Sequence, residues 1–320
     1  MWRWLRRTLL ALGALVVIAA CAGAVYQWWA TRRDLSATPM PGRLVDVGGH
    51  RLHVWCVGEG TPPVILESGL GGWSVDWGHV QPNVAMFTRV CSYDRAGMGY
   101  SEPGPTPRTT QQIAGELAQL LDRSGMRGPV VLVGASFGGL AARFFASANV
   151  DRVAGLVLVD ASHEDQQRNS PRIAPFVPFL SSIGAFRLID MSLGLPPASL
   201  APSVRDFAQA TKFRTAAYHA AADEMVHIRE SGEEVRATRR KLTVPVIVVT
   251  AGRGSDEVWL NLQRDQVALS ERGCHIIARE SGHTIGIEQP HVVVDAIRMA
   301  VDEARGQGTS AVSCGARAGQ

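Results

Sequence analysis

The chain has 320 residues, 46% hydrophobic and 19% charged, with 32 basic against 29 acidic side chains. That suits one large domain, or one domain carrying an insertion. A net charge of +3, with no basic stripe interleaved with aromatics, excludes nucleic acid as an expected partner. Internal repeats and long low-complexity tracts are absent.

Residues Leu9 to Ala30 contain no charged side chain and match the length a helix needs to span a ~30 Å hydrocarbon core. Arg3, Arg6 and Arg7 precede this run, and Arg32, Arg33 and Asp34 follow it. Trp2 and Trp4 stand at one end, Tyr26, Trp28 and Trp29 at the other, as in interfacial aromatic belts. Residues 1–34 are therefore expected to be a cytoplasmic stub and a transmembrane anchor, with the folded domain outside. Two other routes of export remain open: signal cleavage near Ala22-Gly23-Ala24, or lipidation of Cys21 after Ile18-Ala19-Ala20. Residues 35–42, with two prolines, read as a linker.

Beyond the linker, Arg43–Val47 and Arg51–Val57 alternate around Gly48-Gly49, a hairpin signal. Buried strands are expected at Pro63–Glu67, Thr88–Tyr93, Pro129–Val133, Gly155–Asp160, Val244–Thr250 and Cys274–Ala278. Helices are expected at Gln111–Arg123, after residue 138 and at Pro290–Arg305. Eight strands with interleaved helices predict a doubly wound, mostly parallel sheet, with core segments 43–161 and 244–306. Residues 162–243 hold no buried strand, only apolar helical pieces separated by prolines. They are expected to form a helical cap over the C-terminal edge of the sheet, where open α/β sheets bind ligands. Residues 307–320 read as a flexible tail. Four cysteines outside the anchor allow three pairings. Cys56 and Cys91 can equally be buried strand thiols, and Cys274–Cys314 is the expected bridge.

The stretch Gly134-Ala135-Ser136-Phe137-Gly138 joins a β-branched strand directly to a helix. Glycines on both sides of Ser136 relieve a cramped corner that projects the hydroxyl above the sheet. With Asp94-Arg95-Ala96-Gly97-Met98-Gly99-Tyr100-Ser101 upstream and Ser281-Gly282-His283 downstream, the chain resembles the α/β-hydrolase superfamily from Arg43 to Arg305. The resemblance is nearest to its capped serine-hydrolase branch of esterases and lipases.

That resemblance implies an acyl-enzyme chemistry with Ser136 as nucleophile and His283 as its base. The acid is Asp160, at a strand end, or Asp256, whose loop also reads as a helix start. The oxyanion donors implied are the backbone N–H groups of Phe137 and Leu70. Asp94 and Arg95 are expected to order their loop, and His163-Glu164-Asp165 to act as a cap hinge. Phe176, Val177, Phe179, Leu180, Phe186, Leu188 and Leu195 read as a greasy pocket lining or as the cap's own core. The expected activity is cleavage of a small-to-medium apolar acyl ester, with no cofactor and no metal. Prolyl-type aminopeptidase or amidase, cofactor-free perhydrolase, acyltransferase and slow-turnover sensing protein are the alternatives.

Overall fold

A computed structural model describes residues 1–166, 171, 173–193 and 197–307. Eight strands form one sheet: β1 (Arg43–Asp46), β2 (Arg51–Val57), β3 (Val64–Glu67), β4 (Val90–Tyr93), β5 (Val130–Ala135), β6 (Val153–Val159), β7 (Val246–Ala251) and β8 (Gly273–Ala278). Their order is β1-β2-β4-β3-β5-β6-β7-β8. The β1/β2 and β2/β4 pairs are antiparallel and the rest parallel.

The side-chain period of two sorts the β-branched runs onto two covered faces. Leu132, Leu156, Leu158 and Val248 pack with Leu117, Leu120 and Phe145, from helices Thr110–Arg123 and Phe137–Ala148. Val131, Val133, Val157 and Val249 pack with Val293, Ile297 and Val301, from helix Pro290–Ala304. Both faces are apolar because both carry helices.

Helices Val177–Ser182, Ala185–Leu188, Arg205–Thr211, Thr215–Val226 and Ile228–Thr238 lie between β6 and β7 in the chain. Ala217, Ala220 and Ala221 of this set pack on Trp73, Val75 and Met98 from the loops after β3 and β4. Small side chains let this helix approach the strand ends closely. Ile228 and Val235 pack on Phe137 and Leu140, beside the elbow.

The N-terminal helix runs from Trp2 to Ala37, past the expected end of the apolar run and into the segment read as linker. Asp34 pairs with Arg187 at 2.6 Å, so the extra turn is docked. It stops at Thr38, which is extended because Pro39 follows. Cys56 on β2 and Cys91 on β4 are register partners and form a disulfide. Of the two readings open for this pair the structure has the bridge and not the free strand thiols, since two cysteines placed opposite each other on neighbouring strands are within bonding reach. Cys274 is also disulfide-bonded. The expected partner, Cys314, and residues 308–320 of the tail lie outside the described residues.

Candidate active site

The site is built at the C-terminal ends of β5, β6 and β8. Ser136 sits between β5 and its helix with φ 50° and ψ −123°, a conformation that costs energy in a non-glycine residue. The close packing of the corner explains its glycines. A Cβ on Gly134 would lie 2.6 Å from the carbonyl oxygen of Gly138 and 2.8 Å from the Cα of Gly139. One on Gly138 would strike the carbonyls of Glu67 and Ser68. The Ser136 amide donates to Val159, and its carbonyl accepts from Gly139 and Ser162, so the backbone is held on both sides.

The Ser136 hydroxyl oxygen lies 2.9 Å from Nε2 of His283, in the loop after β8. Nδ1 of the same ring lies 2.6 Å from Oδ2 of Asp160, the residue directly after β6. Asp160 is buried and also has positive φ, at 41°. Its second oxygen, Oδ1, accepts from the backbone N–H of Ala251 at 3.1 Å and from the indole N–H of Trp259 at 2.8 Å. Three donors therefore hold this carboxylate in one orientation.

Asp256 occupies a different place. It is the N-cap of helix Glu257–Val267, accepting from the backbone N–H of Trp259 at 2.8 Å. The two candidate aspartates are thereby joined through one tryptophan, whose main chain meets Asp256 and whose ring meets Asp160. Trp259 was not legible as a site residue, since in Glu257-Val258-Trp259-Leu260 it reads as one apolar position of an amphipathic helix.

The backbone N–H groups of Phe137 and Leu70 have no backbone acceptor among the described residues. Phe137 opens the elbow helix, whose first amides have no intrahelical partner. The loop carrying Leu70 is tied down by Arg95, which is fully buried. Arg95 donates to the carbonyls of Ser68 at 2.6 Å and Gly69 at 2.8 Å. It also pairs with Glu67 at 2.5 Å and Glu224 at 2.7 Å. The same guanidinium thus fixes the loop and links it to helix Thr215–Val226. Asp94 holds the adjoining turn, accepting from His53 and from the amides of Ser74 and Tyr100, each at 2.8 Å.

Comparison with known proteins speaks to the fold. A sequence family described as having the alpha/beta hydrolase fold matches residues 62–181. The chain has the α/β-hydrolase fold. It is 32% identical over 129 residues to the transporter-named protein efuK of Hormonema carpetanum, covering 38% of this chain and 18% of that protein. It is 33% identical over 124 residues to a 2-hydroxy-6-oxo-2,4-heptadienoate hydrolase of Pseudomonas putida, covering 38% and 44%. The matched stretch thus spans less than half of either relative. An esterase structure from Thermogutta terrifontis superposes with a TM-score of 0.61 at 24% identity, over 83% of this chain and 99% of that one.

Within this fold a cavity of 220 Å3 opens beside Ser136 and His283. Leu70, Trp77, Val159, Ile285 and Ile287 give it an apolar wall. The cap residues expected to line it do not. Phe176, Phe179 and Leu188 are exposed, and Phe186 is buried in a stack on Tyr218. Val177 and Leu180 are partly buried and also absent from the cavity wall. Helix Val177–Ser182 packs on helix Thr215–Val226 and touches the N-terminal helix, and Phe179 is left on its uncovered side. Leu195 lies outside the described residues.

One polar group in the wall was not anticipated. Asp76, in the short turn Ser74–Trp77, lines the cavity, and its Oδ1 is buried without a hydrogen-bond partner. Burial pushes its carboxyl up to about 7, against the lowering effects of the Trp73 amide and Arg95. A lone aspartate between tryptophans carries no sequence signal that separates a pocket wall from a surface turn.

His163, Glu164 and Asp165 belong to an ion-pair cluster away from this cavity. His163 meets Asp265 at 2.8 Å, Glu164 pairs with Arg143 at 2.5 Å, and Asp165 pairs with Arg236 at 2.5 Å. Among the described residues no group of three or more histidine, cysteine or acidic side chains is arranged to hold a metal ion.

Proposed function

We propose that this α/β hydrolase is a membrane-tethered serine hydrolase that cleaves a small-to-medium apolar acyl ester. The observation that carries the reading is the continuous line Ser136 Oγ–His283 Nε2, His283 Nδ1–Asp160 Oδ2, at 2.9 and 2.6 Å, beside an apolar cavity. A serine hydroxyl is too weakly acidic to attack unaided at neutral pH. Here His283 takes the proton as Ser136 Oγ adds to the ester carbonyl carbon. Asp160 keeps the ring in the tautomer that leaves Nε2 free, and stabilises the imidazolium that forms. The negative charge on the carbonyl oxygen is received by the N–H groups of Phe137 and Leu70. Collapse expels the alcohol, protonated by His283, and leaves an acyl-Ser136 ester. Water, deprotonated by His283, then releases the carboxylic acid and restores the serine.

At 220 Å3 the cavity is smaller than the ~300–1,000 Å3 usual for drug-sized ligands, which supports a modest acyl group. The apolar run of the N-terminal helix supports a membrane anchor. The Cys56–Cys91 disulfide supports an oxidising compartment for the folded domain, hence outside the cytoplasm.

A fluorophosphonate probe should label Ser136 covalently. Ser136→Ala should lose both labelling and turnover of a chromogenic butyrate ester. Undiminished turnover in that variant would overturn the proposed chemistry.

A further inference from the structure

The N-terminal helix is fused to the cap along one stripe. Gly23, Gln27, Ala30 and Asp34 recur at three- to four-residue spacing and so share one face. A Cβ on Gly23 would strike the carbonyl of Ile183, so the backbones of helix and cap touch there. The Gln27 amide, inside the apolar run, donates to the carbonyl of Phe213 at 2.5 Å, while its oxygen accepts from Arg187 at 3.0 Å. Ala30 is buried, and Asp34 pairs with Arg187. A polar amide in an apolar helix is tolerable because the cap satisfies both of its ends.

This docking fixes the height of the cap relative to the apolar run. Gly23 stands seven residues before Ala30, which at the helical rise is about 10 Å inside the end of that run. The segment around Ile183 therefore lies at the depth where interfacial helices bury their apolar faces, about 5–10 Å below the headgroups. The side chains around it match that depth. Ile173, Phe176, Phe179, Leu188 and Ile189 are between 57% and 77% exposed, a density of bare apolar groups foreign to a water-facing surface. Trp28 and Trp29, on the exposed side of the helix, carry Arg32 and Arg33 against their rings, as groups at a membrane surface do.

We infer that this exposed face of the cap is seated in the outer surface of the lipid bilayer, and that the Ser136 cavity receives its ester from the membrane phase. The inference rests on the anchor and hydrolase readings above. The orientation follows from connectivity: helix Thr215–Val226 packs on the loops after β3 and β4 that border Ser136, while Phe213 and Thr215 at its start meet Gln27. The strand ends bearing the site are thus turned toward the bilayer by the same piece of chain that docks the anchor.

The test uses the full chain in phosphatidylcholine vesicles, with Cys21→Ala to remove the free thiol. Single cysteines carrying a nitroxide are introduced by Phe179→Cys and Leu188→Cys. Leu15→Cys marks the apolar run, and Met86→Cys marks an exposed site on the sheet domain. Accessibility to oxygen against a water-soluble nickel complex reads depth without any need for catalysis. The expected result is that labels at 15, 179 and 188 are oxygen-accessible and nickel-protected, while the label at 86 is the reverse. Labels at 179 and 188 as nickel-accessible as that at 86, with 15 protected, would overturn the inference and leave the anchor standing. A nickel-accessible label at 15 would overturn the anchor and the inference together. The delivery route has its own readout. The double variant Phe179→Asp/Leu188→Asp should lose about tenfold in rate on hexadecyl butyrate held in vesicles and retain its rate on ethyl butyrate in water. Equal rates to the parent on both esters would overturn delivery from the membrane.

Discussion

The sheet and the helices across its C-terminal edge are held by different means. In β3, β5, β6 and β7 most side chains are buried Val, Ile or Leu, and each strand shares a ladder with its neighbours. A ladder with close-packed side chains has one register, because a one-residue slip would turn every side chain to the wrong face. The cap is joined to the sheet domain by alanines, by Ile228 and Val235, and by polar contacts that include Arg95 with Glu224, the Arg108 amide with Asp223, and Thr110 with Glu234. The difference teaches where the fold is rigid and where it leaves surface uncovered. Ser136, Asp160 and His283, with the cavity wall of Leu70, Trp77, Val159, Ile285 and Ile287, sit on the strand ends and their loops, while the bare apolar side chains belong to the cap.

The largest expected effect tests the sheet side. Under the proposed mechanism, Asp160→Asn should cost about 10⁴ in turnover, because the amide favours the wrong imidazole tautomer, while the fold is retained. Asp256→Asn should change turnover no more than a few-fold. Steady-state rates on one ester, normalised by probe labelling, separate the two. Similar losses in both variants would erase the distinction between the strand-end aspartate and the helix-capping one.

Next comes the joint between the two regions. Arg95→Met leaves Glu67 and Glu224 buried with no cation between them, which should cost about 3–5 kcal/mol in denaturant unfolding. A loss below about 1 kcal/mol, near the value of an exposed pair, would mean that the cap is held by packing alone.

Asp76 sharpens the comparison from inside the cavity. Its carboxyl binds a proton more tightly folded, at about 7, than at the ordinary value of 3.8. The stability from that proton is present below pH 4 and is lost as pH rises through 7. Asp76→Asn removes this loss, so the variant should gain on the parent progressively from pH 5 to 8. The gain should be on the order of 1–3 kcal/mol at pH 8, measured by thermal unfolding across pH. A constant difference across that range would show that Asp76 is solvated in the folded protein.

The smallest effect concerns the cap of helix Glu257–Val267. Asp256→Ala should lower unfolding stability by about 1 kcal/mol, the usual worth of an N-cap, with little change in rate. A loss of rate comparable to that of Asp160→Asn would mean that the backbone of Trp259 must be capped for its ring to hold Asp160.

What was legible along the chain is what short-range physics dictates. Strands and their order of appearance follow from β-branched runs, because such runs suit a sheet covered on both faces. The elbow follows from glycines flanking Ser136, because the corner leaves no room for a Cβ. The Leu9–Ala30 run follows from length and apolarity alone. Tertiary structure decided everything that depends on which distant segments become neighbours. Asp160 and Asp256 each follow a strand, and only the packing of the loops after β6, β7 and β8 puts Asp160 at Nδ1 of His283. Cys56 and Cys91 are 35 residues apart, and only the antiparallel register of β2 on β4 sets them opposite each other. Trp259 and Asp76 have ordinary sequence neighbours and gain their positions from contacts across the fold. The apolar residues of the cap looked like a pocket wall because hydrophobicity along a chain does not say which surface will cover it. Packing between the cap helices decided that: it stacked Phe186 on Tyr218 and left Phe176, Phe179 and Leu188 bare.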